Sequence, residues 1–232
     1  MSAATAMLTS NWLLYVFISL VTGNPWLALL IVAVMVWGTT GWWRGRLPNP
    51  FAPIRARLRV GELRAQLGAN PHNVNVRAEL GGLLADRRPA EARALLEEVA
   101  RRSPELPLPA YHLGVALLNL GETDAGTAAI ERALERRADL KFGEPMVRLG
   151  DHLLGRGRPT EAVRAYERAV AIHGSHAEAW YKLGAAAQAA GDPARAQEAW
   201  REALASTEHA PAFKRRIDRP WRWRAWFALR RG

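Results

Sequence analysis

From Met1 to Trp43 no side chain is charged. Such a run is far longer than the apolar region of a signal peptide, and its positive charges follow the apolar residues instead of preceding them, so the pattern predicts a segment that stays in the membrane. Residues 2–22 and 25–43 are each about 20 residues, enough at ~1.5 Å per residue for a hydrocarbon core of ~30 Å. Gly23-Asn24-Pro25 between them is turn chemistry. The expected arrangement is a helical hairpin of two antiparallel transmembrane helices. Thr5, Thr9, Ser10 and Asn11 dilute the first half, which leaves a half-inserted hairpin and a single kinked span from Trp12 to Trp37 as alternatives. Trp42 and Trp43 form an interface belt with Arg44 and Arg46 just beyond it, which by the positive-inside rule places the following chain in the cytoplasm of an integral cell-membrane protein. The rule also permits a long domain to be translocated regardless of charge.

Beyond residue 53 the pattern turns helical. Residues 44–53 read as a basic linker stiffened by Pro48, Pro50 and Pro53. A frame with spacing W-x2-L-G, followed by A-x3-(aromatic)-x2-A, is clearest at Trp180, Leu183, Gly184, Ala196, Trp200 and Ala203. It occurs earlier at Met146, Leu149, Gly150, Ala162, Tyr166 and Ala169, at Ala110, Leu113, Gly114, Gly126, Ile130 and Ala133, and at Arg77, Leu80, Gly81, Ala92, Leu96 and Val99. The Leu-Gly pairs begin at 80, 113, 149 and 183, so the third pair starts late by two residues, around "DLKFGEP". Pro89, Pro159 and Pro193 fall where a first helical turn tolerates proline. The predicted helix pairs are 73–86/89–102, 107–120/123–137, 143–155/159–172 and 176–190/193–206. A cap helix over 54–69 precedes them, within a repeat domain of 54–210. A C-terminal cap and Arg/Trp-rich tail, 211–232, closes the chain.

This frame resembles the tetratricopeptide repeat family, whose unit is a 34-residue helix-turn-helix. The resemblance covers about 140 residues and implies an all-α fold, a right-handed superhelical stack of helix pairs behind the transmembrane hairpin. Glycines repeated mid-helix, each costing about 1 kcal/mol relative to alanine, point to close helix approach. Gly126 in place of the usual alanine, Pro145, and the two extra residues predict a distorted junction between the second and third repeats.

Charge sits on the flanks. The whole chain is +10; residues 44–64 carry six arginines against Glu62, and residues 212–232 carry Lys214 and seven arginines against Asp218. The remaining middle is therefore slightly acidic, at −2, whereas a nucleic-acid-binding repeat domain needs a basic stripe along its own surface. Nucleic acid is thus not the expected partner, although a membrane tether that binds it through the basic flanks is the alternative reading. The chain has no cysteine, which excludes a disulfide framework, a zinc ribbon and a thiol nucleophile. No phosphate-binding loop, dinucleotide fingerprint, zincin motif or nucleophile elbow is present. Asp151 and His152 are neighbours on one helix and point to different faces. His173-Gly174-Ser175-His176 reads as a solvated loop. No catalytic residue, cofactor or metal is expected.

Binding is the expected activity, since stacked helix pairs build a concave surface lined by the first helix of each pair. The family resemblance implies a peptide groove including Asn75, Ala78, Tyr111, Val115, Leu118, Asn119, Glu144, Val147, Asp151, Glu178, Tyr181 and Gln188, with Tyr111 and Tyr181 as ring-bearing hot spots. No lysine or arginine stands among them, so the groove does not match the carboxylate-clamp subgroup, and an apolar or weakly basic protein segment is the expected ligand. In layout the chain is similar to bacterial membrane-anchored repeat proteins, which suggests a scaffold for assembly of a membrane or envelope complex. The tail "RPWRWRAWFALRRG", with Trp221, Trp223 and Trp226, suits the lipid interface first. Packing on the repeats or on a membrane partner, and nucleic acid, are the other two fits.

Overall fold

The computed structural model describes residues 16–39, 52–208 and 210–231, and every regular element among them is helical. The chain divides into two compact units between Arg55 and Ala56.

In the first unit, residues 16–22 form α1 and Pro25–Thr39 form α2. Gly23 takes φ +63° in the turn. Asn24 Oδ1 accepts the backbone N–H groups of Trp26 and Leu27 at 3.0 and 3.2 Å, capping α2, while Pro25 fills the first helical position, where no N–H is needed. The described part of α2 carries no charge and spans 15 residues, ~22 Å against a ~30 Å hydrocarbon core. Among the described residues no helix is long and apolar enough to cross a membrane. Of the expected spans 2–22 and 25–43, the described parts are thus 16–22 and 25–39. Trp42, Trp43, Arg44 and Arg46 lie outside the described residues, as does most of the linker.

The second unit begins in α3 (Ala52–Ala69) and continues through four helix pairs: α4 (Val74–Leu84) with α5 (Pro89–Arg102), α6 (Pro107–Asn119) with α7 (Thr123–Arg136), α8 (Glu144–Gly155) with α9 (Pro159–Ile172), and α10 (Ala177–Ala189) with α11 (Pro193–Ala205). α12 (Ala212–Arg231) follows. The pairs coincide with the sequence periodicity to within two residues at every end. Proline occupies the first turn of α5, α6, α9 and α11. The first helix of the second, third and fourth pairs ends in a Schellman closure: the N–H of Glu122, Arg158 and Asp192 reaches back to the carbonyl of Leu117, Leu153 and Ala187. The intervening Gly121, Gly157 and Gly191 take positive φ, as this motif requires.

One packing rule accounts for the recurring glycines. In each repeat the glycine of the first helix faces a large side chain of the second. A Cβ on Gly81 would lie 2.6 Å from Leu96 Cγ, one on Gly114 2.6 Å from Ile130 Cγ1, and one on Gly150 2.6 Å from Tyr166 Cε1; one on Gly184 would collide with the Trp200 ring. In the second repeat Gly126 completes the contact from the other side: its missing Cβ would strike Leu118 at 2.7 Å and the Gly114 carbonyl at 3.0 Å. The departure at Gly126 therefore brings two backbones together where the other repeats place an alanine against a glycine-bearing helix.

Both clusters of buried side chains, from Leu63 to Ala199 and around Trp200 and Ala225, lie wholly within the second unit. Among the described residues the core of the stack is drawn from the second unit alone, so the fragment spanning 52–232 carries a hydrophobic core of its own, as an independently folding unit does.

The second-to-third junction is distorted, as the extra residues suggested. Leu140–Gly143 form a 3-10 turn, and Lys141, Phe142 and Gly143 take φ of +48°, +54° and +86° in succession. Left-handed backbone is an outlier for a bulky aromatic residue. Helix packing of α7 on α8 is thin beside that of α5 on α6 or α9 on α10. Side chains bridge the gap instead: Tyr111 Oη donates to Glu144 at 3.0 Å, Thr123 Oγ1 meets His152 Nε2 at 3.0 Å, and Arg168 pairs with Glu131 at 2.9 Å. Arg148 reaches further, to Asp86 of the first repeat at 2.9 Å.

Candidate peptide groove

The first helices of the repeats present the residues expected to line a groove, and the structure sorts them by burial and contact. Tyr111 is 1% exposed, and Val115, Leu118 and Val147 are also buried. Tyr111 is therefore a core residue with a polar tip, not an open ring for a ligand, because Glu144 from the next repeat closes over its hydroxyl. Burial and the Glu144 carboxylate push the phenol well above its ordinary range. Asn119 is a linker between repeats, its Nδ2 donating to the Ala85 carbonyl at 3.0 Å. Asn75 and Gln188 are exposed and Ala78 is half-buried.

Glu144, Val147, Asp151 and Glu178 come together. With Lys141, Phe142, Arg148, His173 and His176 they line a cleft of about 440 Å³ between the third and fourth repeats. Its carboxylates are already engaged. Glu144 takes Lys141 Nζ at 2.9 Å and the Tyr111 hydroxyl; although burial pushes it up, these contacts hold it below its ordinary value. Asp151 accepts the Tyr166 hydroxyl and Lys182 Nζ, both at 2.7 Å. Lys182 also pairs with Glu178 at 2.6 Å. The expectation of a groove free of basic residues is thus corrected: Lys141, Arg148 and Lys182 reach in from positions adjacent to the groove sites, because their long stems carry charge across a helix face. The cleft offers paired carboxylates and, at its mouth, the Phe142 ring, 67% exposed and 5.5 Å from His173.

The loop histidines have structural roles. His176 Nδ1 accepts the N–H of Ala179 at 3.2 Å, capping α10, and His173 Nε2 meets Ser175 Oγ at 3.2 Å. Asp151 faces the cleft while His152 turns to Thr123, so the two do not converge. Among the described residues no group of three or more candidate metal ligands occurs.

Tyr181 is half-buried, and its ring lies 5.7 Å from that of Trp221 on α12. Lys182 Nζ stands 5.5 Å from the Trp221 centroid. The C-terminal helix therefore ends the groove by covering Tyr181. Of the three tail tryptophans, Trp221 packs inward, while Trp223 and Trp226 form an edge-to-face cluster with Phe227. Lys141, Phe142 and Arg148 escaped the sequence reading of the groove, although the two extra residues before Glu144 marked where the first two would protrude.

Burial pushes His112, on α6 beside Tyr111, down to about 4, and lowers His152 and His176 in the same direction. The unfolded chain takes up these protons near its ordinary histidine value of ~6.5, before the folded chain does. Stability is therefore fully present above pH ~6.5 and is lost as pH falls toward 4. Glu79, Glu91 and Glu144, held below their ordinary values, act only at lower pH. The urea midpoint of the 52–232 fragment should fall between pH 7 and pH 5, and His112→Asn should flatten most of that slope. A slope unchanged by the substitution would assign it elsewhere.

Stacked helix pairs with small-to-large packing and an inner cleft define a helical repeat protein. The Tetratricopeptide repeat family model matches residues 82–140 and 147–211, and the chain belongs to that family. No curated protein matches it. Among solved structures, a crystal structure of MamA is 24% identical, covers 64% of this chain and 86% of its own, and superposes with a TM-score of 0.56. YrrB, a TPR protein with an unusual peptide-binding site, is 17% identical over 78% of this chain and 87% of its own, with a TM-score of 0.54. At these identities the likeness is one of fold.

Proposed function

We propose that the protein is a membrane-anchored, non-catalytic scaffold whose repeats hold a segment of a protein partner at the cytoplasmic face, in assembly of a membrane or envelope complex. The observation that carries the binding role is the cleft between the third and fourth repeats, where four groove residues converge beside an exposed Phe142. Backbone strain of about 1–3 kcal/mol at a non-glycine left-handed residue persists where the surroundings hold it, often at functional sites. The fold is shared with YrrB, a protein with a peptide-binding site. Because the carboxylates of the cleft are already matched, the best ligand is an apolar segment able to cover Phe142, with at most a weak basic preference. The anchoring reading rests on the uncharged residues 1–43, and the cytoplasmic placement on the arginines that follow them.

The full chain, extracted in detergent, should carry a stoichiometric protein partner. Phe142→Gly should reduce its recovery while leaving the melting transition unchanged or higher, since glycine accepts the positive φ without strain. Undiminished recovery from Phe142→Gly would remove the cleft as the binding site. Recovery of nucleic acid with steep salt dependence would favour the tether.

A further inference from the structure

α12 has two unlike faces. Lys214, Asp218, Trp221 and Ala225, at helical spacing, turn toward α10 and α11: Ala225 is fully buried beside Trp200, and Lys214 Nζ holds Asp218 at 2.7 Å. On the flank beside α11, Arg215, Arg219 and Arg222 line a cleft of about 520 Å³ with Leu204 of α11, Trp223 and Trp226. Arg230 lies 3.7 Å from the centre of the Trp226 ring. No carboxylate lines this cleft, and the one acid of α12 is taken by Lys214. The outer surface is also apolar: Phe213 and Ile217 are 69% and 68% exposed, and Trp223 and Phe227 are about half exposed.

We propose that this outer face of α12 is a docking surface for an anionic lipid bilayer. Its arginines meet headgroup phosphates, and Phe213, Ile217, Trp223 and Phe227 enter the boundary between headgroups and acyl chains. Arginine and tryptophan would serve a nucleic-acid strand equally well, but Ile217 has no flat ring to stack and gains only from an apolar medium. Charge favours the same choice. The repeat body at −2 repels a polyanion wrapped along it, whereas a bilayer meets α12 alone. Trp221 takes no part, being held against Tyr181. The inference does not depend on what fills the groove.

The test uses the 52–232 fragment and vesicles of phosphatidylcholine, alone or with about 30% phosphatidylglycerol to set an anionic surface. At about 0.1 M salt, where surface charges are still felt over ~10 Å, flotation should show at least tenfold tighter binding to the anionic vesicles. The chain has no cysteine, so Phe227→Cys can carry a single polarity-sensitive dye, which should shift to the blue only with anionic vesicles. Replacing Arg215, Arg219, Arg222 and Arg230 by glutamine should remove at least tenfold of the affinity with the melting transition retained. Ile217→Ser with Phe213→Ser should remove the dye-reported insertion. Equal binding to both vesicle types, binding indifferent to the four glutamines, or tighter binding to a single-stranded RNA that displaces the vesicles would each overturn the proposal.

Discussion

Gly114→Val should destabilise the 52–232 fragment by about 3 kcal/mol, the upper part of the range for overpacked cores. A Cβ at this position has nowhere to go: one neighbour is the Ile130 side chain at 2.6 Å, but the others are backbone, the Gly126 carbonyl at 2.9 Å and the Ile130 nitrogen at 3.1 Å. A side-chain neighbour can change rotamer, whereas moving these backbone atoms means separating α6 from α7 along their length. Even alanine should be felt. Gly61 in α3 is the internal control, since nothing lies within 4 Å of a Cβ built there. Gly61→Ala should raise stability by roughly 0.5–1 kcal/mol through the lower entropy of the unfolded chain. Urea unfolding of the two variants should move the midpoint in opposite directions; a Gly114→Val midpoint equal to the parent's would contradict the register.

Trp200→Ala should cost about 3–5 kcal/mol, the range for emptying a buried aromatic site. The ring covers Gly184, its Nε1 donates to the Tyr181 carbonyl at 3.2 Å, and it shares a cluster with Ala225 of α12. It thus joins the two helices of the last repeat and seats the C-terminal helix on both. Deleting residues 212–232 should also destabilise the fragment, and the two changes should combine less than additively, because each removes the same contacts. A Trp200→Ala loss below about 1 kcal/mol would mean that α11 is rotated from the observed packing.

The periodicity in the sequence foretold the repeats because each of their signals is local. Leu-Gly pairs, prolines in first turns and glycines closing Schellman motifs each report on a few neighbouring residues, and together they place the helix ends. The pairing of Gly81, Gly114, Gly150 and Gly184 with Leu96, Ile130, Tyr166 and Trp200 was likewise visible as spacing. The groove was less legible. Whether a residue on the inner face is open or covered depends on the next repeat, as with Tyr111 under Glu144, or on an element far along the chain, as with Tyr181 under Trp221. Lys182 and Arg148 entered the groove from neighbouring positions because side-chain length is not encoded in register. In the tail, composition indicated an interface, but only the packing of Ala225 and Trp221 showed which half of the helix was left for it.

The thin contact between α7 and α8 bears on how the stack comes apart. In a linear array each repeat is held by its neighbours, so cooperativity is limited by the weakest link. Here that link has little packing of α7 on α8 and adds polar bridges, Tyr111 to Glu144, Thr123 to His152 and Arg168 to Glu131, to the buried side chains that continue through it. Electrolyte weakens exposed ion pairs such as Arg168 to Glu131 and leaves buried hydrocarbon largely untouched. Ionic strength can therefore act as a tuning knob on cooperativity itself, loosening the array first at Leu140–Gly143 as salt rises.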